Sequence, residues 1–326
     1  MFVIGHNGDD VNEYKLTIGF DISTATFVDS FDTESEDDDS RDVKFNQNGT
    51  KMFVLGKQND RVCEYTLSTG FDVSSTVTFV DCASVSEESM PDELEFNPDG
   101  TKMFVMGESG DDVNEYTLST GFDVSTATFV DSFSVRSEET VPMGLAFTYD
   151  GTKMFVTGWT GEDINEYTLS TGFDVSTASF VDSYSVSSQE DTPTGLAFTY
   201  DGTKMFVVGW TGEDVNEYTL STGFDVSTAT FVDSFSITDQ DDEPSSLTFS
   251  SDGSKMFLLG RENNKVYEYS LTCYYGVINC MDPTSDKDDV ASVEAQTESA
   301  KQLIQHTTYP VLNRMEWLRR NSNNSN

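Results

Sequence analysis

Short apolar runs, each no longer than a β-strand, alternate over the first 280 residues with clusters of Gly, Asp, Asn, Ser and Thr. Within residues 144–186 there are four such runs: GLAFTY, KMFVTG, INEYTLS and SFVDSYSV. They are too short for amphipathic helices and rich in the β-branched and aromatic residues of strands. Asp150-Gly151 separates the first two, and the same kind of dipeptide recurs at Asn48-Gly49, Asp99-Gly100, Asp201-Gly202 and Asp252-Gly253. Asn-Gly and Asp-Gly accept positive φ at both central positions of a type I′ turn, so they predict a tight antiparallel hairpin and disfavour a parallel β-helix. The third and fourth runs are joined by STGFDVSTA, where Gly172 is placed to supply an unusual backbone angle in a wider loop.

The four-run unit repeats. Lys-Met-Phe places its Met at Met52, Met103, Met154, Met205 and Met256, each 51 residues from the last, and Met1 continues the series backwards. Tyr14, Tyr65, Tyr116, Tyr167, Tyr218 and Tyr269 keep the same step. One four-stranded meander cannot bury both of its faces, but a ring of them packed face to face can, leaving only short protected edges. The expected fold is therefore all-β: a β-propeller of about six four-stranded blades over residues 1–281, one of them incomplete. Met1-Phe2-Val3 is in register with the middle of each later repeat, so we read the N-terminus as a truncation. After Pro283 the Phe and Gly punctuation stops, and residues 282–320 read as a C-terminal α-helical segment followed by a disordered tail at 321–326.

The order G-L-A-F-x-x-D-G-T-K-M-F-V resembles the YVTN-type bacterial propeller repeat over residues 1 to about 272. That resemblance implies that the first strand of each blade lines a central channel. Met-Phe-Val-x-Gly stands where the family has its Tyr-Val-Thr-Asn string, so family activities do not carry across. The closing VLNRMEWLRRNSNNSN resembles part of the helical linker that precedes the membrane barrel in some bacterial autotransporter proteins. This implies a surface-displayed passenger; the alternative is a helix that covers an exposed blade edge.

Charge narrows the partners. The chain carries 58 acidic and 18 basic residues, a net charge of −40, nearly all of it in the repeats. Such a surface repels phosphate backbones and anionic headgroups, which argues against nucleic acid and acidic membranes. Cations, basic proteins and neutral glycans remain. No apolar run is long enough for a membrane-spanning helix, and we expect a monomer with no membrane insertion by this segment.

In an antiparallel blade the loops between strands 2 and 3 share one rim with the blade-to-blade loops, and both sets are acidic. The first set holds Asp9-Asp10, Asp111-Asp112, Glu162-Asp163 and Glu213-Asp214; the second holds Glu36 to Asp39, Glu87-Glu88, Glu138-Glu139, Glu190-Asp191 and Asp241 to Glu243. A ring of carboxylates can chelate Ca²⁺, with Asp111, Asp112, Asp163 and Asp214 as candidate ligands, although no loop has the spacing of a dedicated calcium site. The alternative is a solvating acidic face suited to a salty exterior. Trp159 and Trp210 sit in equivalent GWTGED loops on that rim, and a Trp beside carboxylates suits stacking on a sugar or a cation. The candidate ligand-binding set is thus Trp159, Trp210, Glu162, Asp163, Glu213 and Asp214. The Glu of N-E-Y (Glu13, Glu115, Glu166, Glu217) lies on a strand in most copies and reads as a structural hydrogen-bonding group rather than a catalyst.

With two histidines, one of them outside the repeats, a histidine metal cluster or Ser-His-Asp triad is poorly supported, and no catalytic residue stands out. Cys63 on a third strand and Cys82 on the following fourth strand both replace Asn or Ser of other copies, which argues for a disulfide; Cys273 and Cys280 can close a second. The alternative is buried reduced cysteines. A disulfide fits an oxidising compartment, hence an extracellular or cell-surface location. The expected function is non-enzymatic recognition or adhesion, binding a glycan, cation or protein ligand through the acidic rim. The rivals are a lactonase-like or glycan-cleaving propeller hydrolase that uses carboxylates and a divalent ion, and a spacer that only projects something else.

Overall fold

The computed structural model describes residues 1–4, 8–250, 253–262 and 265–271. The expected helical segment, the tail and the Cys273–Cys280 pairing lie outside the described residues. Among the described residues twenty-two strands form six separate antiparallel sheets, arranged as blades. Blade 4 shows the pattern, with strands at Pro142–Phe147, Lys153–Gly158, Asp163–Leu169 and Ala178–Ser185 paired in sequence order. Blades 2, 3 and 5 repeat it from Ser40–Phe45, Pro91–Phe96 and Pro193–Phe198. Among the described residues blade 1 has three strands (Phe2–Val3, Asp10–Leu16, Ala25–Asp32) and so does blade 6 (Pro244–Phe249, Lys255–Gly260, Lys265–Ser270).

The core lies between blades, because each sheet is apolar on both faces. One cluster joins Phe53, Leu55 and Val62 of blade 2 to Leu94, Met103 and Tyr116 of blade 3, and equivalent clusters fill the gaps between blades 1 and 2, 3 and 4, 4 and 5, and 5 and 6. A polar clamp crosses the gaps between blades 1 and 2, 2 and 3, 3 and 4, and 4 and 5. Lys153 Nζ lies 2.6 Å from Glu166 Oε1 and donates to the Phe224 carbonyl of the next blade at 2.5 Å. Glu166 Oε2 accepts the Val226 N–H at 2.9 Å. Glu115 and Glu64 do the same one and two blades earlier, which matches the structural role expected of this Glu. Burying a charge is costly unless it is paired and hydrogen-bonded, and here both conditions hold.

The clamp also closes the ring. Glu268 of blade 6 accepts the N–H of Ile22 in blade 1, 246 residues back, which is the regular 60-residue step taken once round six copies of 51. Phe257 and Phe20 make the matching aromatic contact at 6.3 Å, against 6.1 Å for Phe104–Phe173. The described residues therefore form a closed six-bladed β-propeller. Successive first strands lie side by side around its axis. None of the described helices is long and apolar enough to cross a membrane.

Two turn expectations are corrected. In the hairpin between strands 1 and 2 only the glycine has positive φ (Gly151, +68°), so the turn is not type I′. The turn closes from Thr148 to Gly151, and the Asp150 carboxylate accepts the Thr152 N–H at 3.1 Å, holding Asp150 at ordinary φ. In the wider loop between strands 3 and 4, Phe173 and not Gly172 takes the left-handed angle (φ +59°). Gly172 is needed for a different reason: a Cβ there would lie 2.3 Å from the Asp150 carbonyl oxygen. The strained phenylalanine is held by its ring, which packs 5.6 Å from Phe147 and over Gly151.

Cys63 stands opposite Cys82 across strands 3 and 4 of blade 2, and the two sulfurs are bonded. In blade 5 the same place holds Asn216 and Ser234, hydrogen-bonded at 2.6 Å.

Candidate functional site at the channel mouth

The acidic rim is mostly spent on the fold. In each blade-to-blade loop one acid is buried (Asp37, Glu88, Glu139, Glu190 and Asp241, none above 3% exposed) and accepts N–H groups of the loop between strands 2 and 3. Gly161 donates to Glu139 at 3.0 Å and Gly212 to Glu190 at 3.0 Å. The preceding acid takes the phenol of the third-strand tyrosine, as in Tyr116 to Glu87 at 2.8 Å. Burial, then the Glu87 hydrogen bond, pushes the Tyr116 phenol far up, so it stays a donor.

The candidate acids of the loop between strands 2 and 3 are divided among separate blades. Asp111, Glu162 and Glu213 hold left-handed φ near +50°, which makes them turn corners. Asp111 is 4% exposed and pairs with Arg136 at 3.0 Å. Asp112, Asp163 and Asp214 open the third strands opposite Ser134, Ser185 and Ser236. Asp163 accepts from the Asn165 amide at 2.6 Å, and burial raises its carboxyl nonetheless. Among the described residues no three His, Cys, Asp or Glu side chains gather closely enough to hold a metal ion.

Trp159 and Trp210 open the loops between strands 2 and 3, at the end of the blades shared with the blade-to-blade loops. Each follows the last residue of a second strand and pairs with the residue just before a first strand, Trp159 N–H to the Val141 carbonyl at 3.1 Å and Trp210 N–H to Thr192 at 3.2 Å. Lys57, Glu108 and Arg261 occupy the same place in blades 2, 3 and 6. Neighbours in this series touch: Lys57 Nζ to Glu108 at 2.9 Å, Trp159 to Trp210 with ring centroids 4.7 Å apart, and the Arg261 guanidinium 5.0 Å from the Trp210 ring. They form a collar where the first strands begin, at one mouth of the channel. Both indole N–H groups are shielded from solvent and have no hydrogen-bond partner among the described residues.

Below the collar the channel wall has two unlike halves. On each first strand alternate residues enter the core on one side (Val43, Phe45; Leu94, Phe96), and the others form the strand's second face. Those others are Asp42, Lys44, Glu93 and Glu95 in blades 2 and 3, but Gly144, Ala146, Gly195 and Ala197 in blades 4 and 5. Lys44 bridges Asp42 at 3.1 Å and Glu95 at 2.9 Å. Lys57 bridges Asp92 at 3.2 Å and Glu108 at 2.9 Å, and Arg41 lies 3.5 Å from Asp92.

This cluster is electrostatically strained. Burial raises Asp92 to about 6 against the pull of Lys57 and Arg41; in Glu108 the hydrogen bonds from Lys57 and Asp92 outweigh burial and hold the carboxyl low. Burial, then the Asp42 carboxylate, keeps Glu93 well above the usual carboxylate range. Such values belong to groups that water reaches poorly and like charges surround. The sequence reading missed this wall. Its signal was present in the first strands, where SRDVKF and PDELEF differ from PMGLAF and PTGLAF.

No family model matches the chain, and no curated protein matches it. Solved structures do share the fold. The periplasmic gluconolactonase of Pseudomonas aeruginosa superposes with a TM-score of 0.56 at 12% identity over 83% of this chain and 78% of its own. A putative 6-phosphogluconolactonase from Bacteroides uniformis gives 0.55 at 11% identity, covering 80% and 74%. A chain of a nidogen/laminin complex gives 0.56 at 10% identity, covering 82% and 88%. Identity this low speaks for the propeller fold alone.

Proposed function

We propose that this is a recognition propeller that binds a carbohydrate at the channel mouth. The observation that carries the reading is the pair Trp159–Trp210, in contact with ring planes tilted by 54°, in a collar where otherwise repetitive blades differ. Two aromatic rings at the mouth suit a sugar, whose C–H face packs on an indole. The net charge of −40 disfavours anionic glycans. The Cys63–Cys82 bond supports a secreted or surface location, because disulfides persist in oxidising compartments. We place YVTN-like repeats and autotransporter-type display within the same proposal, supported by the sequence motifs alone. A glycan array tests the binding reading: neutral or cationic sugars should bind the intact protein, and Trp159→Ala/Trp210→Ala should lose them. Binding retained by that variant would overturn it.

A second reading is hydrolysis. Asp92, poised near 6 against a low Glu108, has the pattern of an acid and base pair working near neutral pH. Turnover of a lactone or glycoside that Asp92→Asn abolishes would favour this reading over plain recognition.

A further inference from the structure

Glu93 stands apart among the channel acids. It pairs in register with Met106, two residues short of Glu108, and so lies about 7 Å below the collar along the strand. Its neighbours are committed elsewhere: Lys44 to Asp42 and Glu95, Lys57 and Arg41 to Asp92. No hydrogen bond or ion pair among the described residues reaches the Glu93 carboxyl. Around the axis the next blade offers Gly144 and Ala146 at these positions, carrying no charge, with Trp159 above them. The mouth therefore has an aromatic half and, one blade over and one step deeper, a carboxyl that no ion pair or hydrogen bond among the described residues engages.

We infer that the sugar bound at this mouth carries an amine, with its ring on the Trp159–Trp210 pair and its ammonium group directed down to Glu93. This rests on the carbohydrate reading above and narrows it to amino sugars. An ammonium supplies three donors and a positive charge where Asp42, Asp92 and Glu95 already crowd Glu93 and Lys44 is the cation closest to serving it. An acetamido group carries no charge and a single N–H donor, so an N-acetylated sugar cannot form the ion pair. Because a crowded carboxyl holds its proton, arrival of the ammonium expels it, and binding releases a proton to the solvent. The groups facing Glu93 are Asp42 and Lys44 from the first strand of blade 2, and Asp92 and Glu95 from its own strand.

The test is calorimetric titration of the full chain with a β-1,4-linked glucosamine tetramer and with its fully N-acetylated counterpart, at pH 6 in two buffers of different ionisation enthalpy. The expected result is at least tenfold tighter binding of the free amine, with heat that differs between buffers because a proton is released. Glu93→Gln, which keeps the shape and has no proton to release, should bring the two ligands to equal affinity and abolish the buffer difference. Equal affinities in the unaltered protein, lost in Trp159→Ala/Trp210→Ala, would overturn the amine assignment and leave the carbohydrate reading standing. A preference that survives Glu93→Gln would overturn the assignment to Glu93. Failure of both sugars to bind would overturn the inference together with the reading beneath it.

Discussion

Lys51 and Lys57 bracket one strand of blade 2, and the two ends of that strand obey different rules. Lys51 clamps Glu64 at 2.7 Å, and its equivalents Lys102, Lys153, Lys204 and Lys255 each clamp the matching glutamate of their own blade. At the other end Lys57 gives way in later blades to Glu108, Trp159, Trp210 and Arg261. The repeated end faces the gap between blades, where each blade needs the same geometry for the ring to close. The variable end faces the channel mouth, where ring closure asks nothing of the side chain. Sameness in a repeat protein therefore marks the residues that hold neighbouring units together, and departure from it marks the surface free to acquire a ligand.

The comparison breaks most severely at the repeated end. Glu166→Ala leaves Lys153 without its partner and the Val226 N–H unpaired, and we expect a loss of about 3 kcal/mol, read from the denaturant midpoint. Removing one partner of a buried pair is what costs; Lys153→Met with Glu166→Leu should recover part of it. The disulfide is next. Reduction, or Cys63→Ala with Cys82→Ala, should cost about 2–3 kcal/mol. Cys63→Asn with Cys82→Ser copies the blade 5 pair and should be milder than the alanines in a thermal melt.

Gly151→Ala sharpens the account of the hairpin. The position needs φ +68°, and a Cβ would sit 2.3 Å from the Phe173 ring, so a destabilisation of about 2 kcal/mol is expected. The smallest effect lies at the variable end. Asp92 has a folded value near 6 against an ordinary 3.8, so the folded protein holds its proton more tightly. The stability it lends is complete below 3.8 and lost as pH rises through about 6. Asp92→Asn should make the decline in stability between pH 5 and pH 7 shallower; a steeper decline would contradict the sign.

The ring itself was legible because the 51-residue step is exact at Met52 through Met256, and the interior strands follow from apolar runs on both faces. The turn details were not. Asp-Gly has two uses, and the side chain of Asp150 accepting a local N–H selected the one with a single left-handed residue. Phe173 escaped notice because its strain is relieved by Phe147, a partner 26 positions earlier. The acidic loops misled for a related reason: their charge looks solvent-directed in sequence, yet Glu139 and Glu190 are consumed by backbone N–H groups of a loop more than 20 residues away. The collar was half legible. Trp159 and Trp210 were singled out as unusual, but nothing local says that they meet each other, or that Glu93 lies one blade away.

The three tryptophans of the chain allow a direct test of the mouth. With Trp317 replaced by Phe, all indole emission comes from Trp159 and Trp210. Titrating a bound glycan into this variant should shift and saturate that emission with the same affinity that calorimetry gives. A glycan that binds at that affinity while the emission stays unchanged would place its site elsewhere and contradict the account.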